Sequence, residues 1–592
     1  MTKSDNNGIH NHPHLHPNII HDPSSETSGI IASELAAEDG NLIPNDSFKS
    51  HTYGSIESQD NDHHQETNYE IDEPNGGYAL PPAQLYTVVS SLFMASFLSA
   101  LDATVVTTLL TLIASDLHAI KNISWIATAY LLSSSAFQPI FGKLSDIFGR
   151  KFILIGCTFL FGIGCLICVT DSLLWLVIGR FITGWGGSGL TSVGTMTMSD
   201  LIPLRDRGLY QGLANICFGL GSASGGFIGG IIADTLGWKY VFILQIPLAI
   251  VVGLCIQLYL NLPEGSPGLG AHGQDIWQKL KRVDFLGSFC LISSLMLILT
   301  AASLGGRDIE YSSNTFILLS ISSLILLSGF FYVEAYISEE PIIPIELLGN
   351  RTVLASSLTN WFYTMGIFAT MFFVPIYYTS VLDMTASENG LRLVPNLFSI
   401  SLGSVGAGLY MKKTGKYYKL TVLAGIIAIL GVYKITLITP TIPTWQQFLL
   451  LIPSGLGYSC ILTITLLALI SATPFKYQAC TTSIQYTFRS TGSTLGVSAA
   501  SAIFQNVLAT ELTKRIYLII KDPKDAQKII NQALDSTNYI HQAPKSVQQA
   551  IRSSYESGCK GAFYFALGTV TLGVLSSLFM REHKLHSTLN RK

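Results

Sequence analysis

Charge is scarce in this chain. Asp, Glu, Lys and Arg make up 12% of its 592 residues, with a net charge of −3, where a soluble domain carries about 25%. No basic stripe of the kind that neutralises phosphates is present, so nucleic acid is not expected as a partner. No nucleophile, metal or phosphate motif stands out, and neither catalysis, a metal nor a cofactor is expected. The nine cysteines are equally quiet. All but Cys559 fall within or at the edge of apolar runs, where a thiol packs as a small apolar group, and their spacing gives neither a disulfide framework nor a zinc site. A short apolar run behind a basic start is also missing, so no cleavable leader is expected and the first long apolar run would serve as the insertion signal.

What the chain has is hydrophobicity. Apolar and aromatic residues make up 48% of it, and runs of about 20 residues, each long enough to span roughly 30 Å of hydrocarbon, recur from Tyr86 to Met580. Fourteen such runs begin near Tyr86, Ile123, Phe152, Leu173, Tyr210, Tyr240, Asp284, Thr315, Val353, Gly390, Leu420, Gln447, Thr482 and Gly561. The expectation is an all-α integral membrane protein.

Basic residues in the loops orient it. With a cytoplasmic N-terminus, fourteen Lys and Arg fall in short inner loops, among them Lys143, Arg150, Lys151, Arg205, Arg207, Lys412 and Lys416. Only four, Lys121, Lys239, Arg307 and Arg392, fall in short outer loops. That asymmetry favours cytoplasmic ends and an even number of spans. Residues 1–83 are polar and poor in large apolar groups, which predicts a disordered cytoplasmic tail. Within it, Glu38 lies ahead of Leu42-Ile43 in the form of an acidic dileucine sorting signal, which an adaptor could read. His10, His12, His14, His16, His63 and His64 read as part of a flexible polar tract rather than a metal site.

Two internal segments echo each other. Gly142-Lys143-Leu144-Ser145-Asp146-Ile147-Phe148-Gly149-Arg150-Lys151 joins two apolar runs, and 266 residues later Gly408, Gly415 and Lys416 repeat Gly142, Gly149 and Arg150. Gly142 would let helices approach closely, Gly149 would make a tight turn, and Asp146 would pair with a cation or a helix N-terminus as a cytoplasmic latch. The second copy has Lys412 in place of Asp146. Two halves of six spans are expected, with two helices inserted between them.

The first segment matches the loop signature of the major facilitator superfamily. From about Leu80 to Met580 the chain resembles the fourteen-span, proton-coupled antiporter branch of that superfamily, and within it the fungal vacuolar basic amino acid transporters. The resemblance is carried by Leu101-Asp102-Ala103-Thr104, Trp125 to Tyr130, Gln138-Pro139, Arg180 with Gly184-Trp185-Gly186, and Phe488-Arg489-Ser490-Thr491-Gly492. In Gly219 to Gly230, Gly226 stands where drug exporters usually have proline, which speaks against a drug exporter. The resemblance implies a major facilitator fold of 14 helices, six plus two inserted plus six. Its parts are a bundle at 84–262, a cytoplasmic linker and inserted pair at 263–350, and a second bundle at 351–580. That second bundle carries a lumenal loop at about 511–560, and a cytoplasmic tail follows at 581–592.

Ionisable groups inside spans are expensive and mark function. Asp102 would take a proton or a substrate's charge, with a structural hydrogen bond as the alternative, and Arg180 would tune it or form a buried structural pair. Asn215, Gln245, Asn360, Tyr363, Asn396 and Gln485 are polar groups for a substrate path or for helix-to-helix bonds. Trp361 and Tyr486 offer aromatic faces, and Arg489 either answers Arg180 in the second half or snorkels. The function expected from the resemblance is proton antiport of lysine, arginine or histidine across the vacuolar membrane. Drug or organic-cation antiport at the plasma membrane and a non-transporting nutrient receptor are the competing readings.

Overall fold

The computed structural model describes residues 80–117, 124–262, 266–271, 273–305, 309–384, 386–474, 477–535, 539–583 and 585. The candidate sorting residues Glu38, Leu42 and Ile43 and the His-rich tract lie outside them.

A segment in hydrocarbon has no water to satisfy its backbone, so each apolar run closes its own N–H and C=O bonds and becomes helix. The first group comprises α1 (Pro82–Asp116), α2 (Ser124–Phe137), its continuation α3 (Ile140–Phe148), α4 (Arg150–Cys168), α5 (Leu173–Leu201), α6 (Leu204–Thr235) and α7 (Lys239–Tyr259). The short α8 (Ile276–Lys281) leads to the pair α9 (Phe285–Leu304) and α10 (Asn314–Tyr336). After the short α11 (Ile345–Gly349) come α12 (Arg351–Ser380), α13 (Ala386–Thr414), α14 (Tyr418–Thr436), α15 (Thr444–Leu449), α16 (Ile452–Ser471) and α17 (Gln478–Ile519). The chain then forms α18 (Pro523–Asp535), α19 (Tyr539–Gln542) and α20 (Lys545–Ser577).

Among the described residues, eleven helical stretches are long and apolar enough to cross a membrane, against fourteen expected. The remaining three are physically distinct. Pro139 separates α2 from α3, whose lengths are 14 and 9 residues, because proline lacks the N–H needed to continue the helical ladder. Glycines and Arg180 dilute the apolar character of α5, and α17 is rich in Ser and Thr.

Among the described residues, three apolar clusters hold the helices. One joins α1 to α7 through residues such as Leu92, Phe161 and Phe242. A second joins α12 to α20 through Tyr363, Phe373 and Phe563. The third is small: Cys290, Leu291 and Phe330 of the α9–α10 pair pack with Ile140 of α3 and Ile342. Within the pair, Ser294 and Ser323 each donate to the other's backbone carbonyl at 3.0 Å, a polar tie suited to a nonaqueous surrounding.

The stretch at 511–560, expected as a loop, is largely helical. Ala526, Ile529, Ile530 and Ala533 recur on one face of α18 and are buried, while the rest of that helix is polar enough to mask the pattern in an averaged reading. The Tyr555 hydroxyl of α20 donates to the Ala533 carbonyl at 2.7 Å, fixing the hairpin to the helix it leads into.

Candidate functional site: a buried ion pair beside a central cavity

Asp102 on α1 and Arg180 on α5 meet deep inside the first group of helices. Arg180 Nη1 donates to Asp102 Oδ2 at 2.7 Å, and the two side chains are 1% and 0% exposed. The guanidinium carbon also lies 4.4 Å from the centre of the Tyr130 ring, a cation–π contact in a dry setting. Tyr130 is itself pinned, its hydroxyl donating to the Ser99 carbonyl at 3.0 Å. Asp102 Oδ1 and Arg180 Nε have no hydrogen-bond partner among the described residues. A buried pair left partly unsatisfied is in tension, because each charge depends on the other to offset its desolvation.

Tyr130 forms part of the wall of a cavity of about 280 Å³. The volume is near the lower end of the range for small-molecule sites, about 300 to 1,000 Å³. Its lining combines a mostly apolar surface with many hydroxyls and amides, including those of Ser99, Ser135, Thr195, Gln211, Asn215 and Ser490, and it also carries Phe218, Phe368, Tyr486 and Arg489. Asp102 and Arg180 are not on this wall, whereas Tyr130 and the next two residues of α1, Ala103 and Thr104, are. The ion pair therefore stands behind the Tyr130 ring.

On one side the cavity is shut by contacts between the two groups of helices. Ser135 and Ser490 approach at 2.5 Å, Thr195 and Tyr486 at 2.7 Å, and Asn215 Nδ2 donates to Ser404 Oγ at 2.8 Å. Further toward the Gly142 segment, Arg207 Nη1 donates to Gln478 Oε1 at 3.2 Å, Arg205 Nε to the Lys412 carbonyl at 2.6 Å, and Lys412 pairs with Asp206 at 3.2 Å.

The Gly142 segment occupies that closed end. A Cβ on Gly142 would fall 2.8 Å from the Ala479 carbonyl of α17, so only glycine permits this helix approach. Gly149 turns at φ +94°, with the Leu269 carbonyl close by. Arg150, 2% exposed, pairs with Asp146 at 2.8 Å and with Asp200 of α5 at 2.9 Å. Lys151 faces outward and donates to Asn261 at 3.0 Å. Lys143 pairs with Glu340 at 2.9 Å, and Glu340 also takes Arg282 at 2.7 Å, so the turn after α10 is tied to this segment.

The sequence profile of the Major Facilitator Superfamily matches residues 92–497. The chain belongs to the Major Facilitator Superfamily. Members of this superfamily are membrane transporters of small solutes and not enzymes, and this chain is a multi-pass member. It is 34% identical over 500 residues to the vacuolar membrane amino acid uptake transporter fnx2 of Schizosaccharomyces pombe, covering 84% of each chain. Multidrug resistance protein fnx1 of the same yeast is 33% identical over 510 residues, 86% of this chain and 94% of that one. Vacuolar basic amino acid transporter 2 of Saccharomyces cerevisiae is 32% identical over 447 residues, 74% of this chain and 93% of that one. Among solved structures, the human organic anion transporter MFSD10 superposes with a TM-score of 0.54 at 12% identity, over 84% of this chain and all of that one, a likeness of fold alone.

Within this superfamily member the residues singled out from sequence divide into two sets. Asn215, Tyr486 and Arg489 line the cavity, and Gln485 borders a narrow recess beside it. Gln245 bonds back to the Val241 carbonyl at 3.1 Å. Asn360 donates to the Ser356 carbonyl at 2.9 Å and accepts from Thr465 at 3.2 Å. Tyr363 stacks on Tyr458 at 6.3 Å, Trp361 meets Phe488 edge-on at 6.5 Å, and Asn396 accepts from Ser399. These five make contacts within or between helices and are not among the cavity's lining residues. The lining hydroxyls were missed, although Ser188, Thr191 and Thr195 recur at helical spacing on one face of α5. Asp200, the second acid on Arg150, was missed because it stands 50 residues away in sequence.

Proposed function

We propose that this protein is a proton antiporter that moves basic amino acids, namely lysine, arginine and histidine, into an acidic vacuole. The observation that carries the reading is the buried Asp102–Arg180 pair at 2.7 Å, separated from the solute cavity by one aromatic ring. A fourteen-span arrangement follows when α2 with α3, α5 and α17 are counted as spans beside the eleven, giving six, two and six. The basic loop residues favour a cytoplasmic position for the Gly142 segment, which puts the closed end on the cytoplasmic side and leaves access from the lumen as the reading for this conformation.

In that conformation a lumenal proton on Asp102 neutralises the carboxylate and frees Arg180. The guanidinium can then shift against Tyr130, moving the cavity wall and favouring the opposite opening. Facing the cytoplasm, Asp102 loses its proton, the pair re-forms, and a substrate taken from the cytoplasm is carried back to the lumen. The Asp146–Arg150–Asp200 cluster closes the cytoplasmic side during the lumenal half of the cycle. The names of two vacuolar relatives support the cargo and the location.

A test uses purified protein in vesicles that are acidic inside and carry a pH-sensitive dye. External lysine should raise the internal pH, as protons leave in exchange. The second reading, multidrug export, is favoured by the relative fnx1. It would be preferred if organic cations, and not lysine, drove the proton flux.

A further inference from the structure

Among the described residues that line the cavity, Arg489 is charged and the others are neutral. Among the described residues it has neither a hydrogen bond nor an ion pair. Its guanidinium carbon lies 5.9 Å from the ring centres of both Phe218 and Tyr486. Asp102, the acid behind Tyr130, is already held by Arg180. One turn before Arg489, Gln485 is 3% exposed, and its Oε1 lacks a partner among the described residues. That residue borders a narrow recess together with Gln211, Tyr486 and Arg489.

An unpaired guanidinium on a wall whose other described residues are neutral sets a definite charge requirement. It repels a solute that is only cationic and attracts one with a carboxylate, to which its planar fork can donate two parallel bonds. The neutral hydroxyls of the wall are acceptors for an ammonium group nearby. We propose that Arg489 clamps the carboxylate of the substrate, so that the cavity selects amino acids against organic cations of similar size. The inference rests on the amino-acid reading above and adds the group by which the substrate is recognised. A lysine at this position would keep the charge but lose the fork.

The test is competition for binding of labelled L-lysine to the full-length protein in nanodiscs. Lysinamide, which lacks the anionic group, and cadaverine, which lacks the carboxyl altogether, serve as competitors. Both should compete on the order of 10- to 100-fold less well than lysine. Arg489→Gln should weaken lysine by a similar factor and abolish its advantage over lysinamide, and Arg489→Lys should restore part of it. Equal competition by lysine and lysinamide in the unmodified protein would overturn the clamp, as would unchanged lysine affinity in Arg489→Gln. The first comparison needs no variant, so it decides the matter even if Arg489→Gln does not fold. If another amino acid binds in place of lysine and still depends on its carboxylate, the clamp stands and the basic-substrate reading fails. If no free amino acid binds, both fail.

Discussion

Asp102 shows how one residue can hold two roles in the same bond. Its carboxylate both neutralises Arg180 inside the helix group and, under the proposed mechanism, accepts the coupling proton. Asp102→Asn should therefore abolish gradient-driven accumulation while the protein still reaches its membrane. It should also lower stability by about 3 to 5 kcal/mol, since Arg180 is left as an uncompensated buried charge. Adding Arg180→Gln should recover much of that stability without restoring accumulation. Thermal unfolding and vesicle uptake measured on the same samples would separate the two roles, and full accumulation by Asp102→Asn would remove the residue from coupling. Both members of the pair were legible in the sequence, because a charge within an apolar run is conspicuous. That Arg180 would act on Asp102 was expected too, whereas the Tyr130 ring set against the guanidinium was not, since helix packing brings it there from 50 residues away in sequence.

Between elements, the segment α3 and the pair α9–α10 act together. Glu340 links them by pairing with Lys143 and Arg282, so the inserted helices brace the closed end. These contacts are partly exposed, and each is worth up to about 1 kcal/mol. Of these two, only the Lys143 pair crosses from the inserted segment to α3, so Glu340→Gln should increase labelling of a cysteine placed at the cytoplasmic mouth by up to about fivefold, with transport retained. Unchanged labelling would make the brace incidental. Burial alone would raise the Glu340 carboxyl, but its bonds to Arg282 and Lys143 bring it below its ordinary value of 4.5. A lowered folded-state value stabilises above the ordinary one and is lost only as pH falls through the lower one. Labelling should accordingly be constant between about pH 6 and 8 as far as this brace is concerned. Asp146→Ala should shift the same balance further, because it removes an acid from Arg150. Solute binding should remain intact, since Asp146 does not line the cavity. The glycines and charges of this segment were readable from local spacing. Its partners Asp200, Glu340 and Ala479 were not, because helix packing brings them together across long sequence separations.

For the molecule as a whole, apolar run length predicted an all-helical membrane chain, and the superfamily profile agrees. Averaged polarity concealed the helical hairpin after α17, whose buried face of Ala526, Ile529, Ile530 and Ala533 is only four residues wide. Destination is a property of the intact chain as well. Replacing Leu42 and Ile43 with alanine should redirect a fluorescently tagged protein from the vacuolar membrane to the cell surface, and vacuolar residence that survives the change would retire the proposed signal. Coupled transport of an amino acid is the claim on which the rest depends. The decisive measurement is accumulation of labelled lysine by vesicles containing the purified protein, acidic inside, with and without a protonophore. Lysine should accumulate well above its external concentration and fall back when the gradient is dissipated. Equal lysine levels under both conditions would contradict coupled transport.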